Sequence, residues 1–290
     1  MKIPDSELIL NEDGSIYHLN LRPEHIADTV ITVGDPDRVN KVTSYFDKIE
    51  FSIHKREFHT QTGIYKNKRI TVISTGIGTD NIDIVFNELD ALVNIDLESR
   101  EIKNKLTSLN IIRVGTTGSI QEDIPVDSFI ASEVGIGFDN LLHFYDSKHI
   151  LENELMSDLS QHLNWNISKY PYAVKWNDDL GNHFVEDNVH KGITVTNSGF
   201  YGPQGRILRL PVADANLKDK LATFYRNDKR ITNLEMETAG IYGLAKLLGH
   251  KALSMNVVLA NRPLGKFSSD PVKSMDRLIQ YVLEKIVTLS

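Results

Sequence analysis

The chain has 290 residues, 41% of them hydrophobic and 24% charged, which is typical of a globular protein of one large domain or two ordinary ones. Its formal net charge of −7 argues against nucleic acid as a partner, because nucleic-acid-binding proteins normally present a basic face. The absence of cysteine excludes disulfides and thiolate chemistry, and no apolar run approaches the roughly 20 residues that span a membrane.

Short β-branched runs alternate along the chain with stretches of helical periodicity. The predicted strands lie at 29–33, 51–65 (a strand pair, followed by a turn at 66–68), 70–75, 109–114, 128–136, 192–197 and 252–260. The predicted helices lie at 36–46, 82–96, 152–163, 213–225, 236–248 and 271–288. This alternation predicts an α/β fold with a largely parallel central sheet. Without a repeat or linker, residues 1–290 are expected to form a single domain, with 1–15 as an N-terminal extension that could be flexible.

Two predicted strands end in turns that contain glycine. An arginine follows the first of these turns and precedes the second. Gly34 opens a turn into a helix that contains Arg38, and a helix N-terminus presents free N–H groups to an anion. Arg113 lies near the end of a buried strand, before Gly115 and Thr116, where a charge needs a carboxylate or phosphate partner. These turns predict an anion site. An ordinary strand–helix turn and a structural arginine paired with an interior carboxylate remain the alternatives.

The familiar cofactor signatures are missing. No G-x-x-x-x-G-K-[ST] loop occurs, and Gly76-Ile77-Gly78 lacks the third glycine of a dinucleotide fingerprint because position 81 is Asn. No metal-ligand spacing is found among the ten histidines. The sequence therefore predicts neither ATP, NAD nor a bound metal.

The loop at 198–206 carries the groups that a planar base needs. Gln204 can donate and accept toward an imide edge, Arg206 suits a carbonyl on which negative charge develops, and Phe200 can pack on a ring. Glu235, Met236 and Glu237 could grip and cover a sugar. The alternatives are an ordinary surface loop and, for the glutamates, a first helical turn that favours acidic residues.

Taken in order, these motifs resemble the uridine phosphorylase branch of the nucleoside phosphorylase-I family over residues 16–288. The matching pieces are 18–21, 34–39, 56–58, 74–78, 113–118, 142–144, 200–206, 233–237 and 261–262. The resemblance implies a three-layer α/β/α fold with a twisted mixed central sheet. It also implies a cytoplasmic pentosyltransferase that converts uridine and inorganic phosphate reversibly to uracil and ribose 1-phosphate, with no required cofactor.

The resemblance also implies roles for individual residues, with Arg206, Arg113 and Glu237 as the catalytic set. Phosphate would be held by Gly34, Arg38, Arg113, Thr116 and, from a neighbouring subunit, Arg56. The nucleoside would be held by His18 of a neighbour and by Phe200, Gln204, Arg206, Glu235, Met236 and Glu237, with Arg262 close behind. Such shared sites require at least a homodimer, and bacterial relatives are commonly hexamers.

Some positions depart from the family pattern. Asn81 replaces a serine that helps to bind potassium in some relatives, which argues against that structural ion. Asn261 replaces an aspartate of the purine branch, residues 97–106 look inserted, and the base loop has an altered order around Gln204. The choice among uridine, thymidine and deoxyuridine stays open. A purine nucleoside phosphorylase, a nucleosidase that uses water, and a non-enzymatic ligand-binding protein are the alternatives.

Overall fold

The structure is a computed structural model that describes residues 2–165 and 171–289. Its strands are β1 Thr29–Val33, β2 Lys48–Lys55, β3 Phe58–Tyr65, β4 Lys68–Ser74, β5 Ile95–Asp96, β6 Glu101–Ile102, β7 Asn110–Ser119, β8 Phe129–Gly137, β9 Tyr172–Lys175, β10 Val189–Thr196, β11 Tyr225–Arg226, β12 Lys229–Glu235, β13 Lys251–Asn261 and β14 Lys266–Phe267. Its α-helices are α1 Pro36–Thr43, α2 Thr79–Asn94, α3 Asn153–His162, α4 Asp178–Phe184, α5 Leu217–Ala222, α6 Thr238–Leu248 and α7 Pro271–Val287.

Twelve of the strands form one mixed sheet in the order β11-β12-β10-β8-β13-β7-β1-β4-β3-β2, with β14 beside β13 and β9 beside β8. The pairs within β4-β1-β7-β13 and β8-β10-β12 are parallel, whereas the hairpin pairs and β8–β13 are antiparallel. The predicted fold class, α/β with a mixed central sheet, is thus confirmed.

One pairing curls the sheet. β12 also pairs with β7, through Asn233 opposite Ser119 and Leu234 opposite Gly118, although three strands separate them along the sheet. Strands β12, β10, β8, β13 and β7 therefore close into a ring. This closure brings the carboxyl ends of β7 and β12 together, which is where an α/β sheet normally presents its ligand groups.

Helix α6 lies inside the molecule. Every residue from Thr238 to Ala245 is buried, which explains its nearly uninterrupted run of small and apolar side chains. It approaches β8 closely because Gly135 has no side chain: a Cβ there would lie 2.9 Å from Ala239 Cα. α7 is instead amphipathic and buries one face, from Ser274 to Ile286, against the core.

Several boundaries differ from the sequence-based predictions. The helix expected at 213–225 covers only Leu217–Ala222, because Tyr225–Arg226 pairs with Lys229–Arg230 across a turn whose residues Asn227 and Asp228 both have positive φ. The helix expected from 236 begins at Thr238. Strands β9 and β12 and helix α4 were not predicted. The charged stretch 97–106 includes the tip and second strand of a short β5–β6 hairpin on the surface.

No helix among the described residues has the length and apolar character required to cross a membrane.

Candidate active site

A cavity of about 850 Å³ opens where β1, β4, β7 and β12 end. Ten of the residues predicted for the site line it: Gly34, Arg38, Arg113, Thr116, Phe200, Gln204, Arg206, Glu235, Met236 and Glu237. The volume lies within the range of small-molecule sites, which are about 300 to 1,000 Å³. The structure therefore gathers residues that are up to 203 positions apart along the chain, from Gly34 to Glu237 (237 − 34), around one space.

Arg113 lies at the centre of the wall and is 6% exposed. Its Nη2 donates to Glu237 Oε2 at 2.5 Å and lies 3.5 Å from Glu235 Oε2, and its Nη1 donates to Asn256 Oδ1 at 2.6 Å. Burial acts to lower the pKa of Arg113, but the charges of Glu237 and Glu235 outweigh burial and hold the pKa above its ordinary value. Arg113 is therefore a fixed positive charge, paired on one side with carboxylates.

Both carboxylate oxygens of Glu235 accept hydrogen bonds from other residues of the chain. Its Oε1 accepts from Thr196 Oγ1 at 2.6 Å, and its Oε2 accepts from the backbone N–H groups of Glu237 and Thr238, each at 2.9 Å. Glu235 thus satisfies free N–H groups at the start of α6 from outside the helix. These contacts orient the backbone at Met236 and Glu237, and Glu237 Oε1 in turn accepts from Gly78 N at 2.8 Å.

One part of the cavity wall consists of a helix N-terminus and two arginines. Asp35 caps α1 by accepting from Asp37 N at 2.9 Å, which leaves the first turn of this helix facing the cavity beside Gly34. Arg38 lies in that turn, and its Nη1 approaches Val114 O at 3.4 Å. Burial, and then the nearby charge of Arg113, lower the pKa of Arg38. Two like charges held close together in a half-buried space are stabilised by an anion between them.

Another part of the cavity wall comes from the base loop, residues 198–206, through Phe200, Gln204 and Arg206. Gln204 is 3% exposed, and its Oε1 accepts from Arg206 Nη1 at 2.5 Å. The Arg206 guanidinium also donates to Phe200 O at 2.7 Å, and its carbon lies 3.8 Å from the centre of the Phe200 ring. Burial, and then the charge of Arg262, lower the pKa of Arg206 to about 10, so that Arg206 remains charged at neutral pH.

Three predicted site residues lie outside the cavity wall. Arg262 lies behind the base loop, where its Nη1 donates to Gln204 O at 2.6 Å and its Nη2 to Gly205 O at 3.4 Å. Arg56 is exposed in the turn between β2 and β3, with φ 56°. His18 is partly exposed, and its Nδ1 lies 2.6 Å from Glu88 Oε1. Within one protomer, Arg56 and His18 are thus surface groups.

Glu88 fixes the position of His18 through three contacts with His18 and Leu19. Its carboxylate accepts from the backbone N–H of His18 at 3.0 Å and of Leu19 at 2.9 Å, besides its contact with the ring. A carboxylate opposite Nδ1 makes that atom the N–H donor, which leaves Nε2 as an acceptor in the neutral ring. Sequence reasoning did not single out Glu88, because 69 positions separate it from Leu19.

Other cavity residues also escaped prediction. They are Asp35, Pro36, Glu57, Gly76, Ile77, Asn81, Thr117, Gly118, Leu234, Leu259, Ala260 and Phe267. Some of them belong to motifs that had been noticed, such as the turn at 34–38. Leu259 and Ala260 are partly exposed at the end of an otherwise buried strand, and Phe267 lies opposite Ala260 on β14, so only the pairing of strands places them in the wall.

Asn81 lies in the first turn of α2, on the cavity wall. Asn81 Nδ2 donates to Ile77 O at 3.3 Å, so an N–H group approaches a carbonyl oxygen of the kind that a potassium ion would need. Among the described residues there is also no group of three or more His, Cys, Asp or Glu side chains arranged to hold a metal ion.

Comparison with known proteins places the chain in the Phosphorylase superfamily, whose model matches residues 28–287, and the chain belongs to that family. It is similar to a uridine phosphorylase of Thermococcus kodakarensis, which is 30% identical over 272 residues that cover 92% of this chain and 84% of that protein. Among solved structures it resembles a nucleoside phosphorylase of Trypanosoma brucei that shows uridine phosphorylase activity, with a TM-score of 0.88, 29% identity, and coverage of 98% of this chain and 100% of that one.

A more distant relative is a DeoD-type purine nucleoside phosphorylase of Buchnera aphidicola, 25% identical over 279 residues that cover 94% of this chain and all of that protein. The family that the ordered motifs indicated is thus confirmed.

Proposed function

We propose that the protein is a uridine phosphorylase, a pentosyltransferase that cleaves uridine with inorganic phosphate to give uracil and ribose 1-phosphate. One observation carries the proposal: two buried or half-buried arginines, Arg38 and Arg113, and an amide–guanidinium pair, Gln204 and Arg206, line one cavity. A nucleoside placed between them has its sugar beside the anion and its base at the loop. The two relatives named for uridine phosphorylase support this substrate.

The base loop favours a pyrimidine. Uracil presents C=O and N–H groups side by side, and the carboxamide of Gln204 can match such an edge with one acceptor and one donor. The guanidinium of Arg206 then faces the remaining carbonyl. A buried polar site of this kind rejects a base that leaves its groups unpaired by about 10⁴-fold or more. Since Gln204 is buried, its groups cannot turn to water when a purine is bound.

The charges of the cavity suit glycosyl transfer. In an oxocarbenium-like transition state, positive charge develops on the ribose and negative charge on the departing base. Phosphate bound near Arg38 would lie against the positive sugar, and Arg206 would stabilise the negative base. Phosphate attacks C1′ as the C1′–N1 bond breaks and its electron pair leaves with uracil, so no covalent enzyme intermediate is needed. We assign these roles to Gly34, Arg38, Arg113 and Thr116 on the phosphate side.

The sugar is assigned to the middle of the cavity. Glu237 is nearly buried and held by Arg113 and Gly78, so its carboxylate is fixed where ribose hydroxyls would meet it. Met236 is less buried than its neighbours and can pack on the sugar ring. We assign Glu235 to the support of Met236 and Glu237, because its own oxygens are already occupied.

We further propose that the active protein is a homo-oligomer, at least a dimer and by family resemblance a hexamer. The support is that His18 and Arg56 lie on the surface outside the protomer's own cavity. In the proposal, each reaches the nucleoside or phosphate bound by a neighbour. We also place the enzyme in the cytoplasm, whose reducing conditions suit a chain without cysteine, and in pyrimidine salvage.

The proposal requires no cofactor or metal ion beyond phosphate as co-substrate. The charges that the reaction develops are matched by arginine and phosphate. The fit of Asn81 argues against a structural potassium ion, and no step depends on one.

The test is the release of uracil from uridine by the purified protein, with and without inorganic phosphate, beside inosine as a control. Cleavage of uridine that depends on phosphate and yields ribose 1-phosphate is the expected result. Cleavage at an equal rate without phosphate would identify a nucleosidase. Cleavage of inosine in preference to uridine would instead identify a purine nucleoside phosphorylase.

A further inference from the structure

The first part of the N-terminal arm (residues 3–16), from Ile3 to Leu10, has one buried residue. Leu8 is buried in the main hydrophobic cluster, and Leu10 forms a single β-bridge with Ile16. Most other residues between Lys2 and Gly14 are exposed, and the arm adds no strand to the sheet. A segment with so little buried surface needs a further contact to remain in one place.

That contact comes from the β5–β6 hairpin, residues 95–102. Arg100 alone contacts three residues of the arm. Its backbone oxygen accepts from Ile3 N at 2.8 Å, its Nη1 donates to Leu8 O at 2.5 Å, and its Nη2 lies 2.9 Å from Asp5 Oδ1.

These contacts differ in strength. The side chain of Asp5 is 88% exposed, so its ion pair with Arg100 contributes little. The Arg100 side chain is only 13% exposed and donates to the backbone carbonyl of Leu8, whose side chain is buried. A charged donor in such a place forms a strong hydrogen bond. The Leu8 contact is therefore the main anchor.

The hairpin is shaped to present Arg100. Asp96 Oδ1 accepts from the backbone N–H groups of Glu98 at 3.1 Å and Ser99 at 2.8 Å, and Arg100 N donates to Asp96 O at 2.8 Å. Arg100 itself has φ 60°, a left-handed conformation that few residues other than glycine, asparagine and aspartate adopt. The contacts of the Arg100 side chain with Leu8 O and Asp5 offer a reason for an arginine at this unfavourable position.

The arm leads directly to His18. Asn11 Nδ2 donates to Ile16 O at 2.8 Å, and its Oδ1 accepts from Lys55 Nζ at 3.0 Å. Lys55 Nζ also donates to Tyr17 O at 2.7 Å, immediately before His18. His18 is therefore held from the arm on one side and by Glu88 on the other.

We propose that Arg100 is a positioning residue that docks the N-terminal arm and thereby holds His18 where a neighbouring subunit's nucleoside can reach it. The link to the nucleoside rests on the proposed function, whereas the docking of the arm does not. If the arm is docked for only a fraction of the time, the apparent affinity for the nucleoside falls by that fraction. The loss of Arg100 should thus act on the nucleoside KM rather than on the chemical step.

The first experiment measures hydrogen–deuterium exchange by mass spectrometry on the full-length protein. Arg100→Asn removes the guanidinium and keeps a residue that tolerates positive φ. The control is Lys103→Ala, which removes the cation that directly follows the hairpin. Its Nζ donates to Val93 O at 3.0 Å, which is not part of the arm. Faster exchange over residues 3–16 in the Arg100 variant alone is expected. Equal exchange in all three proteins would overturn the docking role.

The second experiment measures phosphorolysis of uridine. Arg100→Asn should raise the KM for uridine about three- to tenfold, the value of one hydrogen bond, and leave kcat and the KM for phosphate within twofold. His18→Ala should do the same, and the double variant should be no worse than His18→Ala alone. Additive effects, or an unchanged KM beside a loosened arm, would overturn the link to His18. If the wild-type protein does not cleave uridine, the proposed function fails, and the exchange result still decides the docking of the arm.

Discussion

Gly115 leaves open the space that the Arg113 side chain occupies. The two residues lie two positions apart on β7 and so face the same side of the sheet. A Cβ at residue 115 would lie 1.8 Å from Arg113 Nη1 and 2.6 Å from Asn256 Oδ1. Any side chain there would therefore exclude the guanidinium from its position between Asn256 and Glu237. Glycine at position 115 is therefore required by the position of the Arg113 side chain in the cavity, and not only by the packing of the strand.

We expect Gly115→Ala to lower kcat/KM for uridine about 100-fold, because a displacement of about 1 Å in a catalytic group has an effect of that size. A second variant, Gly202→Ala, adds a methyl group to the base loop where a Cβ would meet nothing within 4 Å, and so measures the effect of a methyl group that displaces no side chain. Circular dichroism would verify that both variants fold, and steady-state kinetics would compare them. Full activity in the Gly115 variant would show that Arg113 need not lie where it does.

Replacement of Arg206 should affect the base and not the phosphate. Arg206→Ala removes the positive charge that faces the base, and we expect kcat for uridine to fall about 100- to 1,000-fold with the KM for phosphate nearly unchanged. Arg209→Ala is the matched control, because Arg209 is an exposed arginine three positions further along the chain. An unaffected rate in the Arg206 variant would remove this residue from the base site.

Glu237→Ala should weaken the selection for ribonucleosides. The carboxylate is the only one in the cavity that Arg113 contacts within 3 Å among the described residues, and we assign it to the ribose hydroxyls. We expect the ratio of kcat/KM for uridine over deoxyuridine to fall about tenfold. Glu57→Ala serves as the comparison, since Glu57 also lines the cavity but forms no ion pair with Arg113. An unchanged ratio would place the 2′-hydroxyl contact elsewhere.

Glu88→Gln tests the orientation of His18. The carboxylate accepts three hydrogen bonds, from His18 N, Leu19 N and the ring Nδ1, whereas a carboxamide must turn one N–H donor toward these donors. We expect the KM for uridine to rise severalfold and kcat to change little. Glu186→Gln, at an exposed carboxylate whose partner is Lys285 of α7, is the control. A KM equal to that of the wild-type protein would mean that the tautomer of His18 does not matter.

Asn261→Asp should not create a purine nucleoside phosphorylase. Asn261 Nδ2 donates to the carbonyls of Gln121, Glu122 and Ile124 at 3.0, 3.3 and 2.9 Å, and the residue is 1% exposed. An aspartate would turn an acceptor toward these acceptors. We expect the free energy of unfolding to fall by about 3 kcal/mol, without cleavage of inosine.

Thermal unfolding and an inosine assay would check this expectation. Asn216→Asp, which makes the same change at an exposed position, should leave the stability unaffected. New inosine cleavage by the Asn261 variant would contradict the structural role of this amide.

The gathering of the main site residues could be predicted from sequence because it follows from strand order. Gly34 directly follows β1, and Arg113 lies within the parallel neighbour β7, opposite Thr32 near the carboxyl end of β1. The carboxyl ends of parallel strands meet at one edge, so residues that follow them must meet too. Motif order along the chain then sufficed to identify the family.

What escaped prediction depends on contacts between distant positions. The pairing of Asn233 with Ser119, which closes the ring of strands, leaves no local periodicity in either segment. The same holds for Glu88, whose partners are 69 and 70 positions away. The alternative of a first helical turn for the glutamates rests on local preference alone, whereas here Glu235 ends a strand and accepts hydrogen bonds from the start of α6 from outside the helix.

If the base binds at this loop as proposed, the contact between Arg206 and Phe200 makes its binding an exchange. In the free protein the guanidinium covers the ring face and holds the Gln204 oxygen. A base that stacks on the same face of Phe200 and pairs with the same oxygen of Gln204 displaces the Arg206 guanidinium rather than water. Much of the free energy gained from its contacts is therefore cancelled by the loss of the arginine contacts. Release of uracil is correspondingly easier, because Arg206 re-forms its contacts with the Phe200 ring and the Gln204 oxygen as the base leaves.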